Sequence, residues 1–460
     1  MATRVSKSEH MNINRNMYPH KSVSAIAQSG SAADFRSING ASLEQRVAAL
    51  AHCYNERLKY GLWPYNKSTR SAPATTTIQV EETGRSVTGV NLASQDYLSL
   101  GTHPAVMSAA ERAIKDYGVH SSGSAILMGN TTYSRALEER IGDALGFKHV
   151  LLYPTGWAAG FGSLRGIVHP GDHIIMDALA HNCLQEGARF ATGNVSLQAH
   201  LSDRHVERLL KRIRKDDTAN AIFVVTEGLF SMDSDTPNLA RLRDLCNLYN
   251  AYLVVDIAHD FGILGASGRS TLEEHKLLGQ VDMVVGAFSK TFASNGGFVC
   301  VRSDSILKYL RVYSSTHLFS NALSPIQSAI LLSSFDVVFS EEGAKRRLSL
   351  FANIHALRTA LMSGGLACLG RESPIVPVIV GTEFEVRVTN YLASEAGVIT
   401  NVAEYPVVPR GSARFRLQVQ ADHTIEQMNT AGELINQART AAKEICAEIV
   451  ARGDLVTCTG

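Results

Sequence analysis

The chain has 460 residues, enough for a large core and two packed domains. Its 45% hydrophobic and 19% charged content is that of an ordinary globular protein. With 44 basic against 43 acidic residues the net charge is +1, so no overall field draws it to nucleic acid or to an anionic membrane.

Seven scattered cysteines, without a CxxC pair, argue against a disulfide framework or structural zinc and for a reducing, cytoplasmic compartment. No apolar run approaches the length of an integral membrane segment. Residues 1–40 are rich in Ser, Asn, Ala and Arg and lack an apolar h-region. They read as a flexible or subunit-draping arm rather than a secretory signal.

In chain order, apolar residues Leu43, Val47, Leu50 and Leu58 predict a helix over 42–60. A hairpin is expected from 75–80 and 86–92 around Thr83-Gly84. These form a segment over 41–85. From Pro104 the pattern alternates: helices at 104–116 and 133–145, strands at 150–153 and 173–177, then strands at 221–226, 252–256 and 283–285 with helices between. Such alternation predicts an α/β large domain (86–330) whose mainly parallel sheet is covered by helices on both faces. A smaller C-terminal α+β domain (331–460) is expected to hold one long helix over 329–361, strands at 375–380 and 413–419, and helices near 384–397 and 424–450.

Ligands of such sheets sit beyond the carboxyl ends of the strands. Polar residues gather at those ends: Thr155-Gly156, Asp177 and His181, Glu227 and Ser231, Asp256 and His259, Ser289 and Lys290. A lysine directly after an apolar strand is poised to act as a nucleophile, since desolvation or a neighbouring cation lowers its pKa. Burying Asp256 costs several kcal/mol unless a cation pairs with it. That cation is either a nearby arginine or a protonated heterocycle. His259 is either satisfied by backbone or a donor to a ligand oxygen, and His181 either caps a helix or lies flat on a ring. Thr155-Gly156-Trp157 turns from strand to helix and offers N–H groups to an anion. Together these describe a pyridoxal phosphate pocket. A metal hydrolase on His181, Asp256, His259 and Asp260 lacks ligand spacing, so no metal is expected.

Six motifs make the pattern specific: NLASQDYLSL (91–100), TEGLFSMDSD (226–235), DIAHDFG (256–262), AFSKTFASNGG (287–297), FSNALSP (319–325) and GSARFR (411–416), the last followed by His423-Thr424. Over residues 86–440 the chain resembles the α-oxoamine synthases, fold-type I pyridoxal phosphate enzymes that include 8-amino-7-oxononanoate synthase, 2-amino-3-ketobutyrate CoA ligase, 5-aminolevulinate synthase and serine palmitoyltransferase.

The resemblance implies Lys290 as the Schiff-base lysine and acid/base at Cα, and Asp256 as partner of the pyridine nitrogen. It implies His259, with Ser231 nearby, at the phenolic oxygen and His181 stacked on the ring. Gly156, Trp157 and Ser289 would hold the phosphate, and Arg416 or Arg414 the substrate carboxylate. Ser320 and Asn321 would reach the phosphate region of a neighbouring subunit in a homodimer with shared active sites. The implied reaction joins an amino acid to an acyl thioester, carried by CoA or by acyl carrier protein, with loss of CO2. Alternatives are another fold-type I enzyme, an aminotransferase or aldolase, or a non-catalytic subunit of a synthase complex. The chain departs from the family at Ala287 (usually Thr), Gln95 (Asn in several members), Ser134 (often His) and Ile257 (Glu in the common DEAH-like form).

Overall fold

The structure, a computed structural model, describes residues 13–452. Packing divides the chain differently from the linear segments expected. One compact unit is Gln95–Ser349, and the other joins the described residues up to Ser94 with those from Leu350 onward.

The Gln95–Ser349 unit is built on a seven-stranded sheet. Its strands are β1 (His149–Tyr153), β2 (His173–Asp177), β3 (Val195–Gln198), β4 (Ile222–Glu227), β5 (Tyr252–Asp256), β6 (Met283–Ala287) and β7 (Gly297–Val301), in the spatial order β1-β7-β6-β5-β4-β2-β3. All neighbours pair in parallel except β7, which runs antiparallel to both β1 and β6. The expected mainly parallel sheet is therefore present. Runs such as Ile222–Glu227 and Met283–Ala287 are buried along their whole length, as helices on both faces require. One apolar layer packs Leu151, Ile174, Met176, Val225, Val254, Val285 and Val299 against Ala159, Leu164, Leu184 and Leu310 of the helices Gly156–Ile167, Asn182–Ala191 and Asp304–Tyr313.

The single long helix expected over 329–361 is two helices, Pro325–Val338 and Glu341–Ser363. Between them the Ser340 hydroxyl accepts the N–H groups of Glu342 (3.1 Å) and Gly343 (3.3 Å), which starts the second helix afresh. A Cβ at Gly343 would lie 2.1 Å from the Val338 carbonyl oxygen, so the tight break needs glycine there.

In the other unit, strands Thr76–Val80 and Ser86–Asn91 form the expected hairpin. Its second strand continues into a parallel pairing with Val398–Ile399 from the far end of the chain, which is why residues 41–85 are not a separate segment. A three-stranded sheet places Ala413–Gln418 between Ile375–Gly381 and Val402–Ala403, antiparallel to both.

The arm expected over 1–40 is packed from Ile13 on, while residues 1–12 lie outside the described ones. Ile13, Tyr18, Val23 and Ala27 are buried. Arg387, fully buried, donates to the carbonyls of Gln28 (2.8 Å) and Gly30 (3.2 Å) and pairs with Glu404 at 2.7 Å. The helix predicted over 42–60 spans Leu43–Lys59. Its expected apolar face is exposed at Leu43, Val47 and Leu50, and the residues it buries are Cys53 and Arg57.

Candidate active site

β4 and β5 stand in register so that Glu227 and Asp256 are direct neighbours at their carboxyl ends. Both side chains are buried. Lys290 is half-buried and comes just after the end of β6, separated from it by Phe288 and Ser289. It is close enough for its charge to act on both carboxyls. Burial raises Asp256 above the ordinary aspartate range, opposed by Lys290 and by the Ala258 N–H that donates to Oδ1 at 2.9 Å. Glu227 is raised well above the usual carboxylate range, first by burial and then by the charge of Asp256. Two adjacent buried carboxyls cannot both ionise cheaply, and an added cation facing Asp256 would relieve the pair.

His181 stands at the start of helix Asn182–Ala191, next to the end of β2. Its backbone N–H donates to Glu227 Oε1 at 2.6 Å. Its ring caps the helix: Nδ1 accepts the Cys183 N–H at 3.3 Å and lies 3.0 Å from Cys183 Sγ. A ring nitrogen that accepts from backbone leaves the proton of the neutral imidazole on Nε2. His259, unlike the exposed His181, is buried and has Nδ1 3.0 Å from the hydroxyl of fully buried Tyr97.

Helix Gly156–Ile167 begins as β1 ends, with Thr155 as N-cap accepting the Ala158 N–H at 3.0 Å. The N–H groups of Gly156 and Trp157 fall in the first turn, where a helix has no internal acceptors for them. A Cβ on Gly156 would lie 2.3 Å from Ala287 Cβ, and one on Gly297 would lie 2.7 Å from Gly156 Cα. Gly297 is the register partner of Ala287. Three small residues thus let this helix start sit directly on β6 and β7. Gly156→Ala is expected to cost about 1–3 kcal/mol, as overpacking does, read as a lowered unfolding midpoint.

Of the residues singled out in the sequence, Lys290, Asp256 and His181 are brought together, with His259 on the turn after Asp256. Ser231 is half-buried on the loop after β4, and Ser289 is exposed beside Lys290. Asn321 is exposed, bridges the backbone of Ser124 and has Nδ2 3.3 Å from His120 Nε2. Arg414 and Arg416 lie on strand Ala413–Gln418 of the other unit, Arg414 buried and Arg416 half-buried. Asp260 is turned away into Thr271, accepting its hydroxyl (2.6 Å) and N–H (2.8 Å), and burial raises it to about 7. No group of three or more potential ligands that could hold a metal occurs among the described residues.

Sequence reasoning assigned no role to Tyr97, Glu227 or Cys183. Glu227 had a signal, its strand-end position, and Tyr97 lies within the 91–100 motif. Cys183 had none beyond its closeness to His181.

The residues fit pyridoxal phosphate: a buried carboxyl in need of a cation, a lysine beside it, and a helix start pressed against small residues that leave its N–H groups for an anion.

The sequence pattern of the family "aminotransferase class I and II" matches residues 87–435. The chain is 32% identical over 342 residues to the 8-amino-7-oxononanoate synthase of Thermoanaerobacter pseudethanolicus, covering 74% of this chain and 85% of that one. It is 30% identical over 367 residues to the serine palmitoyltransferase of Bacteriovorax stolpii, covering 78% and 86%. Its fold matches the solved serine palmitoyltransferase of Sphingomonas wittichii with a TM-score of 0.81 at 25% identity, over 88% of this chain and 100% of that one.

Proposed function

We propose, for a chain that belongs to the aminotransferase class I and II family and is a fold-type I pyridoxal phosphate enzyme, a decarboxylative condensation of an amino acid with an acyl thioester. The observation that carries it is the nearness of Lys290, Asp256 and His181, each on or just after a different strand, in a chain related to an 8-amino-7-oxononanoate synthase and a serine palmitoyltransferase. When bound, pyridoxal phosphate supplies an electron sink for the pair left on Cα.

Lys290 would hold the cofactor covalently, and its amine would then take the Cα proton and return one after CO2 has left. Cα bonds to the thioester carbonyl carbon, the C–S bond breaks, and the thiolate takes a proton. The Cα–carboxylate bond then breaks, leaving an α-aminoketone, CO2 and free thiol. Asp256 would pair with the pyridine nitrogen and favour its protonated form. His259, itself held by Tyr97, and Ser231 would donate to the phenolic oxygen. His181 would lie against the ring. Gly156 and Trp157 N–H groups and Ser289 would bind the phosphate. Arg416 or Arg414, both on strand Ala413–Gln418, would take the substrate carboxylate. A homodimer, in which Ser320 and Asn321 of one protomer serve the phosphate region of its partner, and a cytoplasmic location belong to the same reading. No helix of the described residues is long and apolar enough to cross a membrane.

The test offers glycine, alanine and serine against acyl-CoA and acyl carrier protein thioesters of several chain lengths. One pairing is expected to release thiol and CO2 in equal amounts. Amino-group transfer or aldol cleavage without CO2 would assign the alternative fold-type I chemistries. A protein that takes up the cofactor and releases nothing with any pairing would fit a non-catalytic subunit.

A further inference from the structure

Beside the residues assigned above, a charged cluster stands against the same strand ends. His200, two residues past β3, has Nδ1 2.8 Å from Asp177 Oδ1 and Nε2 3.1 Å from Asp235 Oδ2. Ionised carboxylates only accept, so a ring with both nitrogens facing them carries two protons. Burial works against that charge, but the hydrogen bonds to Asp177 and Asp235 outweigh it, and titration is pushed up to about 10.

The two carboxylates belong to different parts of the unit. Asp177 closes β2 and is fully buried. It also accepts from Leu179 N (2.9 Å), Gln198 Nε2 (2.7 Å) and Leu201 N (3.0 Å), so it is fixed to the sheet. Asp235 ends a compact loop after β4, in which Phe230 N donates to Asp235 O (2.9 Å) and Ser234 N to Phe230 O (3.0 Å). The Phe230 and His200 rings meet edge to face, with centroids 4.6 Å apart and planes at 90°. Ser231 lies in the loop between Phe230 and Asp235. The charged groups against the imidazole are Asp177 from β2 and Asp235 from the loop, while Glu227 of β4 acts on Asp177 at longer range.

We propose that His200 is a positioning residue: as an imidazolium clamped between Asp177 and Asp235, it sets the loop 230–235, and Ser231 with it, at the carboxyl ends of β2 and β4. This rests on the reading of Ser231 as a cofactor contact. Removing the cation leaves two carboxylates facing one another with nothing between them, so the loop loses a charge-assisted tie and gains repulsion.

The test uses the full chain, wild type, His200→Ala and Asp235→Asn, each checked for wild-type secondary structure. In cofactor-free protein, ring nitrogen-15 shifts are expected to show His200 doubly protonated through pH 8. Asp235→Asn should lower its titration by about one pH unit or more. In His200→Ala, amide exchange is expected to rise about tenfold in residues 229–236 while β4 and β5 stay protected. Pyridoxal phosphate should bind His200→Ala about tenfold more weakly, and added imidazole should restore part of that loss. A His200 ring that titrates near the ordinary imidazole value, or loop exchange unchanged in His200→Ala, overturns the clamp. A loosened loop with unchanged cofactor affinity overturns its positioning role. A wild type that takes up no pyridoxal phosphate, with ring and loop behaving as expected, overturns the proposed function and leaves the clamp supported.

Discussion

Lys290→Ala is expected to lower turnover by at least about 10³-fold, because in the proposed function one amine both holds the cofactor and moves the Cα proton. That corresponds to about 4 kcal/mol of transition-state stabilisation. The loss should appear in kcat and kcat/KM together, since what is removed acts in the chemical step and not in binding alone. Borohydride reduction should attach the cofactor irreversibly to the wild-type chain and not to Lys290→Ala, with mass spectrometry reading the added group on the peptide that holds residue 290. Attachment elsewhere in the variant would refute the assignment. Folding should be little changed, because Lys290 is only half-buried.

The second large effect is on stability and lies in the other unit. Arg387→Ala is expected to cost about 3–5 kcal/mol, the usual consequence of breaking one side of a buried ion pair. Its removal strands Glu404, which is also buried, and leaves the Ala27, Gln28 and Gly30 carbonyls with fewer donors. Arg57 remains at 3.8 Å from Glu404 and recovers only part of the loss. The contrast is Arg410→Ala, which breaks the exposed 2.8 Å pair with Asp34 and should cost at most about 1 kcal/mol. Urea unfolding of the two variants separates them. Near-equal midpoints would show that the buried pair does not hold residues 24–30 in place.

Ala287 takes on a definite place in this picture. The family usually has threonine here. In this chain its methyl group closes against Gly156, with Gly297 as its strand partner. The contact explains why 156 is glycine. Nothing in the structure explains the absence of a hydroxyl at 287.

The chemistry was legible because it is written in short, local patterns. Met283–Ala287 and Tyr252–Asp256 are apolar runs that end in a charged residue or shortly before one. A parallel sheet buries such runs and presents the residues after them at one edge. Lys290, Asp256 and His181 could therefore be named from sequence, and the fold class with them. β3 was missed because Val195–Gln198 is a short, half-exposed edge strand with no continuous apolar run. The break at Ser340 was missed, and in the structure the Ser340 cap and the close approach of Gly343 to Val338 mark the turn.

What sequence alone determined was the α/β alternation, the family and the cofactor, all properties of contiguous stretches. Tertiary structure decided which distant stretches complete one another. Ser86–Asn91 pairs with Val398–Ile399, Arg387 holds residues 27–30, Glu227 is shared between Asp256 and the His181 backbone, and His200 joins β2 to the Ser231 loop. The hydrogen bonds among these link residues from 23 to 360 positions apart, and local periodicity carries no record of such partners. Burial makes those polar partners obligatory once the chain has folded, since a buried charge or donor left alone costs more than the contact itself contributes.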